Sequence, residues 1–159
     1  MAQYDYHKIA DLFISLSNAK RALITNIKLQ KLMYYAQAWH LASKGERLFD
    51  GDFEAWLQGP VLVCLYEDYK YFRWNPITRK GLGEESYQNL RKEIDSDSLE
   101  VLDYVIHRYF DMDAYGLEAL VLSEEPWLKA RNNEDTDEST RDLIKDQWMA
   151  EFYGNAAKQ

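Results

Sequence analysis

The side chains able to do chemistry in this chain are three histidines, one cysteine and several closely spaced carboxylates. His7, His40 and His107 fall in three separate helical segments, and none has a second His or Cys at the spacing a zinc site needs. Asp111, Asp113 and Gly116 match the opening of a calcium loop. Tyr115 then stands at the fifth position and Leu122 at the twelfth, where a bidentate Glu is required, so that reading fails. Cys64 lies in the apolar run VLVCLY, where a thiol is expected to act as a small buried hydrophobe. The sequence contains no G-x-S-x-G elbow and no phosphate-cradling glycine loop. Glu54, beside Trp56, is the carboxylate best placed for acid–base work, but no second acid is identifiable opposite it. The expectation is therefore no catalytic residue, no metal and no cofactor, with a small hydrolase or transferase using Glu54 or another buried carboxylate as the enzymatic alternative.

These residues are positioned by helices for the most part. Ile9, Leu12, Phe13 and Leu16 share one helical face, predicting a helix over Tyr6 to Ser17. A longer helix starts at Asn26, a good N-cap, and its stripe is Leu29, Leu32, Met33, Ala36 and Trp39, with Gly45 as a left-handed C-terminal cap. Asp50-Gly51 between LF and DFEAW is a hairpin-turn signal, which places a short β-hairpin near residues 48–56. Gly59 and Pro60 then open a helix running to Phe72, because proline is tolerated in the first helical turn. VLVCLY by itself also fits a buried strand.

Further helices are expected at Gln88–Glu93, from an Asp97 cap to Phe110, over Ala114–Leu122, from Pro126, and from a Ser139 or Thr140 cap to Tyr153. Residues 132–139 read as an acidic solvated loop and residues 154–159 as a tail. The whole, residues 1–159, reads as one mainly α domain: a compact bundle of about six helices with one short hairpin.

Composition narrows the class. Apolar residues make up 47% of the chain, which excludes wholesale disorder. The formal charge of −8 opposes a phosphate backbone, so no direct nucleic-acid contact is expected, whereas a basic protein would be steered inward. A lone cysteine forbids an internal disulfide. The absence of a secretory leader and of an apolar run near the ~18 residues of a membrane span points to a cytoplasmic protein without membrane contact. Twelve Tyr and five Trp supply core volume and the residue types favoured as interface anchors.

Four blocks in order carry a resemblance: KLQKLMYYAQAWHL (Lys28–Leu41), LFDGDFEAWLQGPVLVCLY (Leu48–Tyr66), VLDYVIHRY (Val101–Tyr109) with the following LEAL, and EEPWLKAR (Glu124–Arg131). With F-E-A-W-x-x-G-P-V as its most specific part, the chain resembles the Panacea antitoxin domain, the SocA-like family of phage-associated proteins. The resemblance implies an antitoxin that neutralises a cognate toxin protein encoded nearby by direct contact, and a second mode as an adaptor that hands the toxin to a cellular protease. A phage-encoded protein that modulates a host factor is the alternative. Relatives often carry Thr-His before the acidic Pro-Trp segment; Val121-Leu122 stands here instead, so no role of that His is carried over. Trp39, Trp56, Gly59, Pro60, Pro126, Trp127 and Arg131 are expected to be structural. The toxin-facing surface is expected at Gln30, Lys31, Tyr34, Tyr35, Phe53 and Glu54, exposed or half-exposed near the hairpin.

Overall fold

Helix formation dominates the described residues, 2–132 and 141–158, of a computed structural model. In chain order the elements are α1 (Tyr6–Ala19), α2 (Asn26–Lys44), β1 (Phe53–Trp56), β2 (Gly59–Leu62), α3 (Val63–Tyr69), α4 (Glu84–Lys92), α5 (Ser96–Tyr109), α6 (Ala114–Leu122), α7 (Glu125–Ala130) and α8 (Asp146–Ala157). A 3-10 turn, Lys70–Phe72, follows α3. Eight helices are thus present among the described residues, each overlapping a helical segment expected from the sequence, and α3 and α7 are the short ones.

α2 is the axis of the bundle. Thr25, not Asn26, caps it: the Thr25 hydroxyl accepts from Lys28 N at 3.2 Å. Gly45 closes it at φ +74, as its sequence position predicts. Every residue from Lys28 to Leu41 is buried, because α1, α5, α6, α8 and β2 all pack on this one helix. The expected single apolar stripe is therefore only part of its contact surface.

A helix buried on all sides must satisfy its own polar side chains. Gln37 does so by fastening the loop after α2: its amide donates to Phe49 O at 2.6 Å, and its oxygen accepts from Leu48 N at 2.8 Å and Phe49 N at 3.3 Å. His40 bridges Glu46 O at 2.7 Å and Ser98 Oγ at 3.0 Å, joining that loop to α5. Gln30 donates to Asn26 Oδ1 and accepts from Leu62 N at 2.9 Å, so β2 hangs from the first turns of α2.

The hairpin lies later than expected. β1 and β2 pair antiparallel with Phe53 opposite Leu62 and Trp56 opposite Gly59, so the turn is Leu57-Gln58 and not Asp50-Gly51. Gly59 and Pro60 consequently begin a strand, and helix begins only at Val63. The outer edge of β1 is taken by the chain after residue 140: Ala55 N donates to Asp142 O and Ile144 N to Phe53 O. Such cross-chain pairing is invisible to local turn chemistry.

Three other boundaries move. α4 starts at Glu84, four residues before the expected Gln88 and on a Gly83 cap, and α5 is capped by Asp95, which accepts from Ser98 N, not by Asp97. α8 runs to Ala157, so most of the expected tail is helix. The Ser139 and Thr140 caps and the acidic loop from residue 133 lie outside the described residues; α8 itself starts at Asp146. Cys64 is exposed, because only Leu65 and Tyr69 of α3 face the core.

Gln37 is the most heavily used fastener. Gln37→Leu should leave two backbone donors and one carbonyl buried without partners, lowering unfolding free energy by about 2–4 kcal/mol. Denaturant unfolding checks this; a loss below about 0.5 kcal/mol would show that the loop finds other partners.

Candidate functional site

The second and fourth sequence blocks meet at the hairpin. Trp127 Nε1 donates to Trp56 O at 2.9 Å, and the Arg131 guanidinium donates to Ala55 O at 3.2 Å while lying 4.9 Å over the Trp127 ring. Pro126, in the first turn of α7, starts the helix that aims both side chains. Arg131 is almost fully buried, so its charge is used inside the fold. Gly59 has φ +117, and a Cβ there would come within 3.1 Å of Lys31 Cε and Val121 Cγ1. Glycine is therefore required both for backbone conformation and for close approach to α2 and α6.

Trp56 is half-buried. Its indole donates to Glu54 Oε1 at 2.8 Å, and its ring meets Tyr66 edge-on at 5.0 Å. Glu54 is thus engaged by its own strand neighbour. Among the described residues no group of three or more His, Cys, Asp and Glu comes together at a metal-binding spacing. His7 lies between Asp5 and Asp68, and His40 is spent on the α2–α5 junction.

The remaining expected surface residues are inside. Gln30, Lys31, Tyr34, Tyr35 and Phe53 are all 1% exposed or less. The exposure expected for them is corrected: α2 is enclosed on every side and the Phe53 ring of β1 packs inward against Tyr34 and Phe49, so none of the five presents a docking face. Tyr34 and Tyr35 instead join a polar cluster at the heart of the bundle. Glu124 Oε1 accepts from Tyr35 OH at 2.7 Å and Tyr153 OH at 2.8 Å, and the Tyr34 hydroxyl lies 3.2 Å from that of Tyr153, whose oxygen is free to accept from it. Tyr35 stacks on Tyr109 at 3.9 Å, and Trp39 Nε1 donates to Tyr109 OH at 2.9 Å. This ties α2 to α5, α8 and the α6–α7 corner.

Burial raises the pKa of all four tyrosines, which keeps them as neutral donors at physiological pH. Burial also raises that of Glu124, against the pull of the Tyr35 and Tyr153 hydroxyls. The cluster binds helices together through one carboxylate, and the Tyr35 and Tyr153 hydroxyls converge on the same oxygen of it.

Lys31 carries a cation into the interior. Its side chain is buried under Gly59, and no hydrogen bond or ion pair reaches its ammonium among the described residues. Burial drives its pKa down to about 8, only partly opposed by Glu118 on α6.

Sequence reasoning missed the surface that is exposed. Tyr71 (86%) and Trp74 (77%) project from the 3-10 turn and the loop after it, and Trp74 lines a groove with the half-buried Tyr66, whose ring also meets Trp56 of the hairpin. The signal lies in the string YFRWNP, where the expected helix ends at Phe72 and an arginine and a tryptophan follow at once in a non-regular segment.

Lys31→Met keeps a similar stem under Gly59 and removes the charge. At pH 7 the variant should unfold with up to ~3 kcal/mol more stability than wild type. A lysine with a lowered pKa contributes stability above its unfolded value and loses it as pH falls through the folded one. The difference should therefore shrink as pH rises from about 8 towards 10.5. Urea unfolding at pH 7 and pH 9.5 tests it, and a variant weaker than wild type at pH 7 refutes it.

The family described as antitoxin SocA-like, Panacea domain, matches residues 29–128, which takes in α2, the hairpin and the helices up to α7. The curated protein "Antitoxin SocA" of Caulobacter vibrioides (strain NA1000 / CB15N) is 40% identical over 62 residues, 39% of this chain. The matched stretch spans 33% of that protein's length. No solved structure matches. With its hairpin, its Gly-Pro strand and Trp127 all inside the matched segment, the chain belongs to the SocA-like Panacea domain family.

Proposed function

We propose that this protein is an antitoxin that neutralises a toxin protein by binding it directly. The reading is carried by the Panacea match over residues 29–128. The name of the Caulobacter relative points the same way. The geometry supports a binding role in one respect. The residues of the most specific sequence block are spent on fixing a hairpin rigidly against α2, α6 and α7, and the half-buried Trp56 and Tyr66 ride on that rigid base. A preorganised surface binds without an added ordering cost.

The net charge of −8 favours a basic partner through long-range attraction, so association should slow as salt rises. Delivery of the toxin to a protease is a separate step, visible as falling toxin abundance.

The test is co-expression with the neighbouring reading frame. Expression of that frame alone should arrest growth, and co-expression with this protein should restore it, with the two proteins purifying as one complex. Rescue without a complex removes direct neutralisation, and a harmless neighbour removes that gene as the toxin.

A further inference from the structure

Phe72, Arg73, Trp74 and Asn75 form a tight turn closed by Asn75 N donating to Phe72 O at 2.8 Å. Arg73 occupies its second position at φ 54, ψ −121, a backbone conformation that glycine favours and that other residues hold under strain. Nothing in the core requires an arginine there, since Arg73 is exposed. The strain holds Arg73 and Trp74 out from the end of α3. Between them and the start of α2 lies a groove of about 210 Å³, lined by Asn26, Ile27, Tyr66, Lys70, Arg73 and Trp74.

The charges at this groove differ from those of the chain as a whole. Lys70 is paired with Glu67. Arg73 makes no ion pair among the described residues. In a chain of net charge −8, an exposed guanidinium beside an exposed indole is a local reversal of sign. Trp, Tyr and Arg are the residue types that dominate interface energetics, and a guanidinium matches a carboxylate in a two-pronged geometry. Arg with stacked aromatics would also suit single-stranded nucleic acid, but the overall negative charge opposes a phosphate chain.

Resting on the antitoxin reading above, we infer that the groove between Tyr66 and Trp74 is the point at which the toxin docks. It receives a segment of the toxin that places a carboxylate on Arg73 next to an apolar side chain against Trp74. The strained turn is retained because it presents both groups on the rigid end of α3.

Three variants test this: Trp74→Ala, Arg73→Glu and Arg73→Gly. The glycine variant relieves the backbone strain, so it should melt at a higher temperature than wild type while binding more weakly. Affinity for the purified toxin from the neighbouring gene should fall about tenfold or more in each. Wild-type affinity in Trp74→Ala and Arg73→Glu overturns the site.

A second arm does not need the toxin. Wild-type protein is panned against a displayed library of random 12-residue peptides and challenged with oligo-dT of the same length. Peptides rich in Asp or Glu beside Leu, Phe or Trp, released by both Trp74→Ala and Arg73→Glu, support the inference. Recovered peptides without acidic residues, no recovered peptide, or oligo-dT binding lost in Trp74→Ala overturn it. Failure of growth rescue by the wild-type protein counts against the antitoxin reading alone, and the peptide arm still decides the groove.

Discussion

Enclosure of α2 on every side governs the rest of this structure. A buried helix carries its backbone hydrogen bonds within itself, but any polar side chain on it must find a partner inside the protein or weaken the fold. Gln30, Gln37 and His40 meet that demand by bonding to chain segments that are not helical: the start of β2, the Leu48–Phe49 strand-like stretch and the Glu46 carbonyl. The polar residues of α2 thus decide where the irregular parts of the fold lie. Apolar residues in the same places would bury as much area and fix none of those segments.

The hairpin shows the same logic from the other side. Two strands of four residues are too short to stand by themselves in water. Here β1 is held by residues 142–144 on one edge and β2 by Gln30 on the other, and two carbonyls of β1 take donors from Trp127 and Arg131. Four separate regions of the chain converge on eight paired residues. That explains why the sequence blocks are so far apart yet belong together: Glu124–Arg131 completes what Leu48–Tyr66 begins.

Elements whose signals are local could be read directly from the residues. α1, α2, α6 and the Gly45 cap depend on helical periodicity and on one left-handed position, and they lie where that chemistry places them. The hairpin did not, since Asp50-Gly51 is the stronger turn signal taken alone. Leu57-Gln58 becomes the turn only because Gln30 and Asp142 take up backbone groups on either side. The expected surface failed for a related reason. Tyr34, Tyr35 and Lys31 look like exposed residues beside a single apolar stripe, and only the count of elements packing around α2 shows that no face remains free. Glu124 was legible as part of a motif, but its pairing with Tyr35 and Tyr153 spans more than two helices and has no local trace.

Two residues run against stability without a core reason. Lys31 is an ammonium buried without a hydrogen bond among the described residues, and Arg73 holds a backbone conformation better suited to glycine. A bundle this densely cross-braced can tolerate both, because one or two such losses remain within the margin of a domain of this size. Their positions differ in what they allow. Lys31 is sealed under Gly59 and can act only through the packing around it. Arg73 is open to solvent beside Trp74, so its strain can be offset by whatever binds there. Long-range charge and local charge then do separate work on this surface. The net −8 draws a basic body from a distance, while one cation set between aromatic rings selects which part of that body is held.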